Sequence, residues 1–278
     1  MVGDNSKVFS YTKSHMTIKI LDDDTINKIA AGEVIERPAN ALKELLENSA
    51  DGGATKVEID FDGGGKKEIK VTDDGCGIAS GEVTLAFERH ATSKISSIND
   101  LDHLYTFGFR GEALSSLAAV CELELHTSPH DEEIGTKVTS RGGEILTHQP
   151  AAPLKGTQIS VKNIFFNVPA RQKFLKSDAG ETAAIKKVVR AFALIHPELH
   201  VTLRQGGKVI NHWERESFRR RAEKIFSVTE KDSIYVKTED GDMRLECLLV
   251  LPHLSLNTQA GISLFVQGRP VADRTSGA

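Results

Sequence analysis

Arg37-Pro38-Ala39-Asn40-Ala41-Leu42-Lys43-Glu44-Leu45-Leu46-Glu47-Asn48-Ser49-Ala50-Asp51 is the stretch on which the reading of this chain turns. Proline fits the first turn of a helix, where its missing N–H has no helical partner to lose, and Gly52-Gly53 supplies the stop. Leu42, Leu45 and Leu46 recur at helical spacing and form an apolar stripe. Glu44, Asn48 and Asp51 fall at i, i+4 and i+7 and share the opposite side. The leucines can pack on a sheet while a carboxylate, an amide oxygen and a second acid line a cavity. Taken alone, the same pattern reads more simply as an amphipathic helix with a solvated polar face.

The flanking sequence shifts that balance. A short helical pattern carrying Ile26, Ile29 and Ala30 precedes the stretch, and two strand patterns follow it. These are Val57-Ile59-Phe61 and Ile69-Val71, joined by the turn Gly63-Gly64-Gly65. The second strand runs into Thr72-Asp73-Asp74-Gly75-Cys76-Gly77-Ile78. Glycines let a backbone approach a flat ligand, and a carboxylate at a strand end accepts from an exocyclic amine such as adenine N6. The plain alternative is a tight Asp-Gly turn between strands. Further on, Gly108-Phe109-Arg110-Gly111-Glu112-Ala113-Leu114 leads into the helix-forming Ser115-Ser116-Leu117. Backbone N–H groups at such a helix start make an anion site, or merely an unliganded loop. No GxxxxGK[ST] occurs, so the loop is not a P-loop.

Beyond these segments the sequence predicts helical pieces over 81–104, a helix over 112–119, and strands at 122–127, 136–141, 144–149 and 158–163. A long helix over 180–196 precedes strands at 201–205 and 208–213. Hairpin-length links and the lack of a regular βαβ beat point to an α+β sandwich, a mixed sheet with helices on one face. A basic helical segment at 217–226 and strand patterns at 233–237, 243–251 and 261–266 suggest a second α/β domain. The expected division is a polar extension over 1–16, a first domain over 17–216, and part of a second over 217–278.

At 278 residues the chain exceeds the roughly 100–200 residues of a typical domain. Its net charge of -4 argues against a protein that coats nucleic acid by bulk electrostatics, so any DNA contact comes from a local basic patch or weakens steeply with salt. Cys76, Cys121 and Cys247 are widely spaced and form no CxxC pair, which excludes a disulfide scaffold or zinc cluster and suits a reducing cytosol. No apolar run approaches the ~20 residues that span a bilayer. Residues 1–16 lack a signal-peptide core, and Ser14-His15-Met16 reads as a tag remnant or part of a native arm.

Five ordered segments carry a family resemblance. They are Asn27 through Pro38 with Lys43 through Ser49, Asp73 through Ile78, Arg89-His90-Ala91-Thr92-Ser93-Lys94, Gly108 through Leu114, and Asn167 through Leu175. Together they resemble the N-terminal region of MutL-type DNA mismatch repair proteins over about 17–274. The resemblance implies the GHKL ATPase fold, with an S5-like transducer domain after it, truncated here. It implies Glu44 as the base that activates water and Asn48 as the Mg²⁺ ligand. Asp51 belongs to the ATP site, and Asp73 takes the adenine amine, with Gly77, Ile78 and Thr157 shaping the base pocket. Gly108, Phe109, Arg110, Gly111, Glu112, Ala113 and Leu114 hold phosphates, with Thr92 and Lys94 nearby in a lid over 89–114. ATP-driven homodimerisation through the N-terminal arm, DNA, the mismatch-recognition protein MutS, a downstream nuclease or helicase, and a bacterial cytoplasmic setting are likewise implied.

Two departures from the family stand out. Asp74 occupies a position that commonly holds Asn, and an effect on local hydration is expected. The γ-phosphate lysine of this family branch lies beyond Val266-Gln267-Gly268-Arg269-Pro270, so these residues alone are expected to bind ATP but hydrolyse it poorly. For a DNA groove the candidates are Arg190, the Arg219-Arg220-Arg221 run, Arg269 and Arg274, although most surface arginines are merely solvated. His90 and His196 lack a second ligand at suitable spacing and read as structural. Trp213 and Phe165-Phe166 read as core.

Overall fold

The structure, a computed structural model, describes residues 18, 20–94, 106–108, 111–241, 243–254 and 262–271, apart from the side chains of 23, 24 and 27. The N-terminal extension, Phe109, Arg110 and Arg274 lie outside the described residues. Two helices come first, α1 (Asp23–Val34) and α2 (Pro38–Asp51), then strands β1 (Lys56–Asp62) and β2 (Glu68–Asp73). After them run α3 (Ala113–Val120), β3 (Glu122–Ser128), β4 (Gly135–Arg141), β5 (Glu144–Ala151) and β6 (Gly156–Lys162). A short helix α4 (Pro169–Phe174) and the long α5 (Asp178–Ile195) precede β7 (His200–Gln205) and β8 (Lys208–Trp213).

These strands form one eight-stranded sheet in the order β5-β4-β3-β6-β2-β1-β7-β8. β1 and β7 run parallel, and the other neighbouring pairs are antiparallel, so the sheet is mixed as expected. Period-two alternation turns Val57, Ile59 and Phe61 of β1, Ile69 and Val71 of β2, and Leu123 and Leu125 of β3 inward, all of them buried. The intervening residues, such as Lys70, Thr72 and Glu124, stay part-exposed on the other face.

Helices cover the apolar face. Leu42, Leu45 and Leu46 of α2 are buried, each contributing about 1.5–3 kcal/mol by leaving water. α2 packs beside α5, whose Ile185, Val189 and Phe192 complete the layer, and α1 packs on α3. Ser177 caps α5 by accepting from the Gly180 amide. The Arg37 guanidinium pairs with the buried Glu181 at 2.9 Å, tying the start of α2 to the first turn of α5.

The register has one consequence for function. Asp73 of β2, Thr157 of β6 and Thr127 of β3 are direct cross-strand neighbours. They end the inward rows Ile69-Val71-Asp73, Val161-Ile159-Thr157 and Leu123-Leu125-Thr127. The helix-facing side therefore changes from apolar to polar along one line, beside the C-terminal half of α2.

The remaining elements are α6 (Phe218–Phe226), the antiparallel pair β9 (Ser233–Asp240) and β10 (Met243–Val250), and the hairpin β11 (Leu264–Val266) and β12 (Arg269–Val271). α6 packs on α5, with Ala222 and Ile225 joining the same core. Helix α4 escaped the sequence reading because six residues are too short to display a helical period. β12 escaped it because Arg269-Pro270-Val271 offers three residues, one of them proline.

Candidate functional site

The polar stripe of α2 faces the two ends of the lid region that the structure describes. The Asp51 carboxylate has 6% of its side chain exposed and accepts from three directions. Lys94 Nζ is 2.5 Å from its Oδ2, the Phe107 amide donates to Oδ1 at 3.0 Å, and the Gly108 amide donates to Oδ2 at 3.3 Å. The same ammonium donates to Asn48 Oδ1 at 2.9 Å. Asn48, Asp51, Lys94 and Gly108 are therefore one cluster. Glu44, one turn earlier on α2, has 27% of its side chain exposed and lies 3.9 Å from Lys43 Nζ, which pairs more closely with Glu47 at 2.6 Å.

The other end of the site is built where β2, β3 and β6 end. The buried Ser49 hydroxyl donates to Asp73 Oδ2 at 2.7 Å, and the Gly75 amide donates to Oδ1 at 3.0 Å. Burial pushes the Asp73 pKa up, and these donors with the Thr157 amide only partly offset it, leaving it above the usual carboxylate value. Thr157 and Thr127 bring their hydroxyls to 3.0 Å, and the Ile78 amide donates to Thr127 Oγ1 at 2.9 Å. Gly77 has φ +71°, and a Cβ there would lie 2.2 Å from the Ser128 carbonyl oxygen, so only glycine lets 76–78 pass so close to β3.

Asp74 is a clamp rather than a matter of hydration. It accepts from the Thr55 amide at 2.7 Å, the Thr55 hydroxyl at 2.6 Å and the Lys56 amide at 2.7 Å. Burial raises its pKa, but these three bonds outweigh that and hold it below the ordinary range. The clamp fixes the start of β1 against the end of β2.

Ahead of α3, Glu112 stands at the helix start without capping it and lies 3.4 Å from His90 Nδ1. Ala113 and Leu114 form the first turn of α3. Gly111 (φ +62°) is wedged against Ala91, where a Cβ would come within 2.4 Å of its carbonyl oxygen. Thr92 caps its own turn by accepting from the Lys94 amide at 3.1 Å. His90 and Ala91 therefore meet Glu112 and Gly111, while Lys94, Phe107 and Gly108 meet α2.

The arginine candidates separate sharply. Arg221 is fully buried and pairs with Glu216 at 3.0 Å, which removes it from any groove. It also donates to the carbonyls of Ala193, His196, Pro197, Leu199 and Glu214. The basic run had hidden an inward position that α6 needs for docking. Arg219 pairs with Glu223 and Glu230, Arg190 caps the Ile225 carbonyl, and Arg220 is exposed. Arg269 donates to the carbonyls of Thr106 and Phe107 at 3.2 and 3.1 Å, joining the β11–β12 hairpin to the lid. Phe107 also packs edge-on against His196.

His90 and His196 take structural contacts, and Phe165 and Trp213 are buried, while Phe166 is part-exposed under the Arg141 guanidinium. Among the described residues no group of three His, Cys, Asp or Glu side chains is placed to hold a metal. The Asn48 amide oxygen accepts from the Lys94 ammonium at 2.9 Å, so a Mg²⁺ ion fits it only if Lys94 withdraws and phosphates and water complete the shell, the normal habit of that ion. A separate open cleft, lined by Ser80, Glu132, Glu133, Ile134, His148 and Pro150, holds none of the predicted residues.

The chain matches the family model of histidine kinase-, DNA gyrase B- and HSP90-like ATPases over residues 35–164. It is 42% identical over 260 residues to the DNA mismatch repair protein MutL of Opitutus terrae, an alignment covering 93% of this chain and 41% of that one. The chain belongs to the MutL family, as its N-terminal ATPase region. The MutL ATPase domain of Aquifex aeolicus, solved with ADP, superposes with a TM-score of 0.67 at 27% identity, covering 88% of this chain and 86% of that one. The N-terminal domain of a DNA repair protein gives 0.73 at 26% identity, with 92% and 80% covered. The chain spans about two fifths of the length of the curated MutL relatives it matches. No helix among its described residues is long and apolar enough to cross a membrane.

Proposed function

We propose that this MutL region binds ATP with Mg²⁺ between α2 and the lid and hydrolyses it slowly as a conformational switch. The observation that carries the reading is the alignment of two chemistries along α2. An amine-accepting carboxylate, Asp73, stands behind Ser49, and an amide oxygen, Asn48, stands beside the lid lysine. Asp73 accepts the adenine amine, with Gly77, Ile78 and Thr157 around the base. Gly111 and the first turn of α3 offer backbone N–H groups and a helix N-terminus to the phosphates, and Gly108 joins them once its amide leaves Asp51. Phe109 and Arg110 belong to the same proposed loop.

Bound Mg²⁺ neutralises phosphate charge, the main requirement of phosphoryl transfer. Asn48 presents its oxygen to the ion. Glu44 orients the attacking water and takes its proton. Lys94 and Thr92 approach the phosphates from the lid.

In the whole protein the switch would drive homodimerisation, DNA engagement and contact with MutS and a downstream nuclease or helicase in a bacterial cytoplasm. Arg190, Arg219, Arg220, Arg269 and Arg274 remain the DNA candidates, and a second domain from about residue 217 remains part of the reading. The competing reading is a nucleotide-gated scaffold that needs no turnover. Glu44→Ala separates them: an ATPase keeps nucleotide binding and loses phosphate release, whereas in a scaffold the low phosphate release is unchanged.

A further inference from the structure

We infer that Thr127, a buried residue behind the base pocket, fixes which way the Thr157 hydroxyl points and thereby sets the pocket's preference for an adenine-type edge. The inference rests on the nucleotide-site reading above. It follows from counting protons on one oxygen. A threonine hydroxyl has one proton to donate and two lone pairs to accept with. Thr127 Oγ1 lies 2.8 Å from the Gly156 carbonyl oxygen, which can only accept, so the Thr127 proton goes there. The Ile78 amide, 2.9 Å away, can only donate and takes one lone pair. The 3.0 Å contact with Thr157 is then satisfied only if Thr157 donates into the second lone pair.

Thr127 is fully buried, so bulk solvent does not compete for its hydroxyl. With its proton committed inward, Thr157 offers only lone pairs to the pocket. Asp73 beside it is an acceptor too: its carboxylate accepts from Gly75 and from Ser49, whose proton lies closer to Asp73 at 2.7 Å than to the Leu45 carbonyl at 3.2 Å, and its other lone pairs can only accept. Asp73 and Thr157 thus both meet the base as acceptors. An adenine edge meets them with the N6 amine or through a water that donates. A hypoxanthine edge brings the O6 acceptor to the same place and is repelled.

Thr127 is thus a positioning residue that never touches the ligand. Thr127→Val keeps the shape, removes the hydroxyl, and frees the Thr157 proton to point at the pocket. The test compares ADP and IDP dissociation constants for the unsubstituted protein, Thr127→Val and Thr127→Ser. The unsubstituted protein should favour ADP, and Thr127→Val should shrink the ADP-to-IDP preference about tenfold, the equivalent of one hydrogen bond changing sign. Thr127→Ser should restore it. A structural role alone would weaken both nucleotides together and leave the ratio unchanged, which would overturn the inference while the nucleotide site stood. Failure of the unsubstituted protein to bind ADP would overturn the site reading and this inference with it.

Discussion

Lys94 and Asp51 face each other at 2.5 Å, with the lysine ammonium also 2.9 Å from Asn48. Asp51 thus collects the lid segment before residue 95 through Lys94 and the segment after residue 105 through the Phe107 and Gly108 amides. A nearly buried carboxylate without a counter-charge would be costly, and Lys94 neutralises it. Asp51 thereby anchors residues 94, 107 and 108 to α2.

Asp51→Asn should loosen that anchor. A hydrogen bond to a charged group contributes about 1.5–3 kcal/mol, so amide exchange at Phe107 and Gly108 should rise about tenfold or more. Hydrogen exchange resolved to these amides checks this. Unchanged protection would mean that the lid ends are held by other contacts.

Arg221→Ala should destabilise the protein by about 3 kcal/mol or more, because the carbonyls of Ala193, Leu199 and Glu214 lose the guanidinium donors and Glu216 keeps Lys224 as its cation. Arg220→Ala, one residue away and exposed, should change stability by at most about 0.5 kcal/mol. Urea unfolding of the two variants gives the comparison, and equal effects would contradict the docking role given to Arg221.

Gly77→Ala should abolish nucleotide binding or prevent folding of the pocket, since the new methyl meets the Ser128 carbonyl and the backbone is left-handed there. Gly81→Ala, where nothing lies within 4 Å, is the control and should bind normally. Fluorescent-nucleotide titration distinguishes them. Equal binding by both variants would remove Gly77 from the pocket.

Asp73 gives a pH signature. Its folded pKa is raised above 3.8, chiefly by burial, so the folded state holds this proton more readily than the unfolded state. Its contribution to stability is therefore full below the unfolded value and is lost as pH rises through the folded one. Nucleotide affinity runs the other way, because protonated Asp73 has lost its charge and part of its accepting capacity. ADP affinity should fall as pH drops through the raised pKa, and Asp73→Asn should flatten that limb. Calorimetric titration across acid pH checks it; an unchanged limb in Asp73→Asn would assign the effect elsewhere.

How much of this was legible follows from what each signal depends on. The strands β1, β2 and β3 were readable because Val57-Ile59-Phe61, Ile69-Val71 and Leu123-Leu125 alternate strictly. Helix α2 was readable because both its stripes obey the helical period. Thr127 and Ser49 were passed over because their importance lies in what they face across strands and layers. The only local hint was a polar residue ending an apolar alternation. Arg221 misled for the opposite reason. Three consecutive arginines look like one basic surface, but a helix sends consecutive residues about 100° apart, so one of them faced inward. Asp74 looked like a spare charge until the fold brought the Thr55 and Lys56 amides to it.

Calorimetric titration of a non-hydrolysable ATP analogue with and without Mg²⁺, on the unsubstituted protein and Asn48→Ala, tests the central claim most directly. The account predicts one nucleotide per chain, tighter binding with Mg²⁺, and loss of that Mg²⁺ enhancement in Asn48→Ala with metal-free affinity retained. No saturable binding, or an enhancement that survives Asn48→Ala, would contradict it.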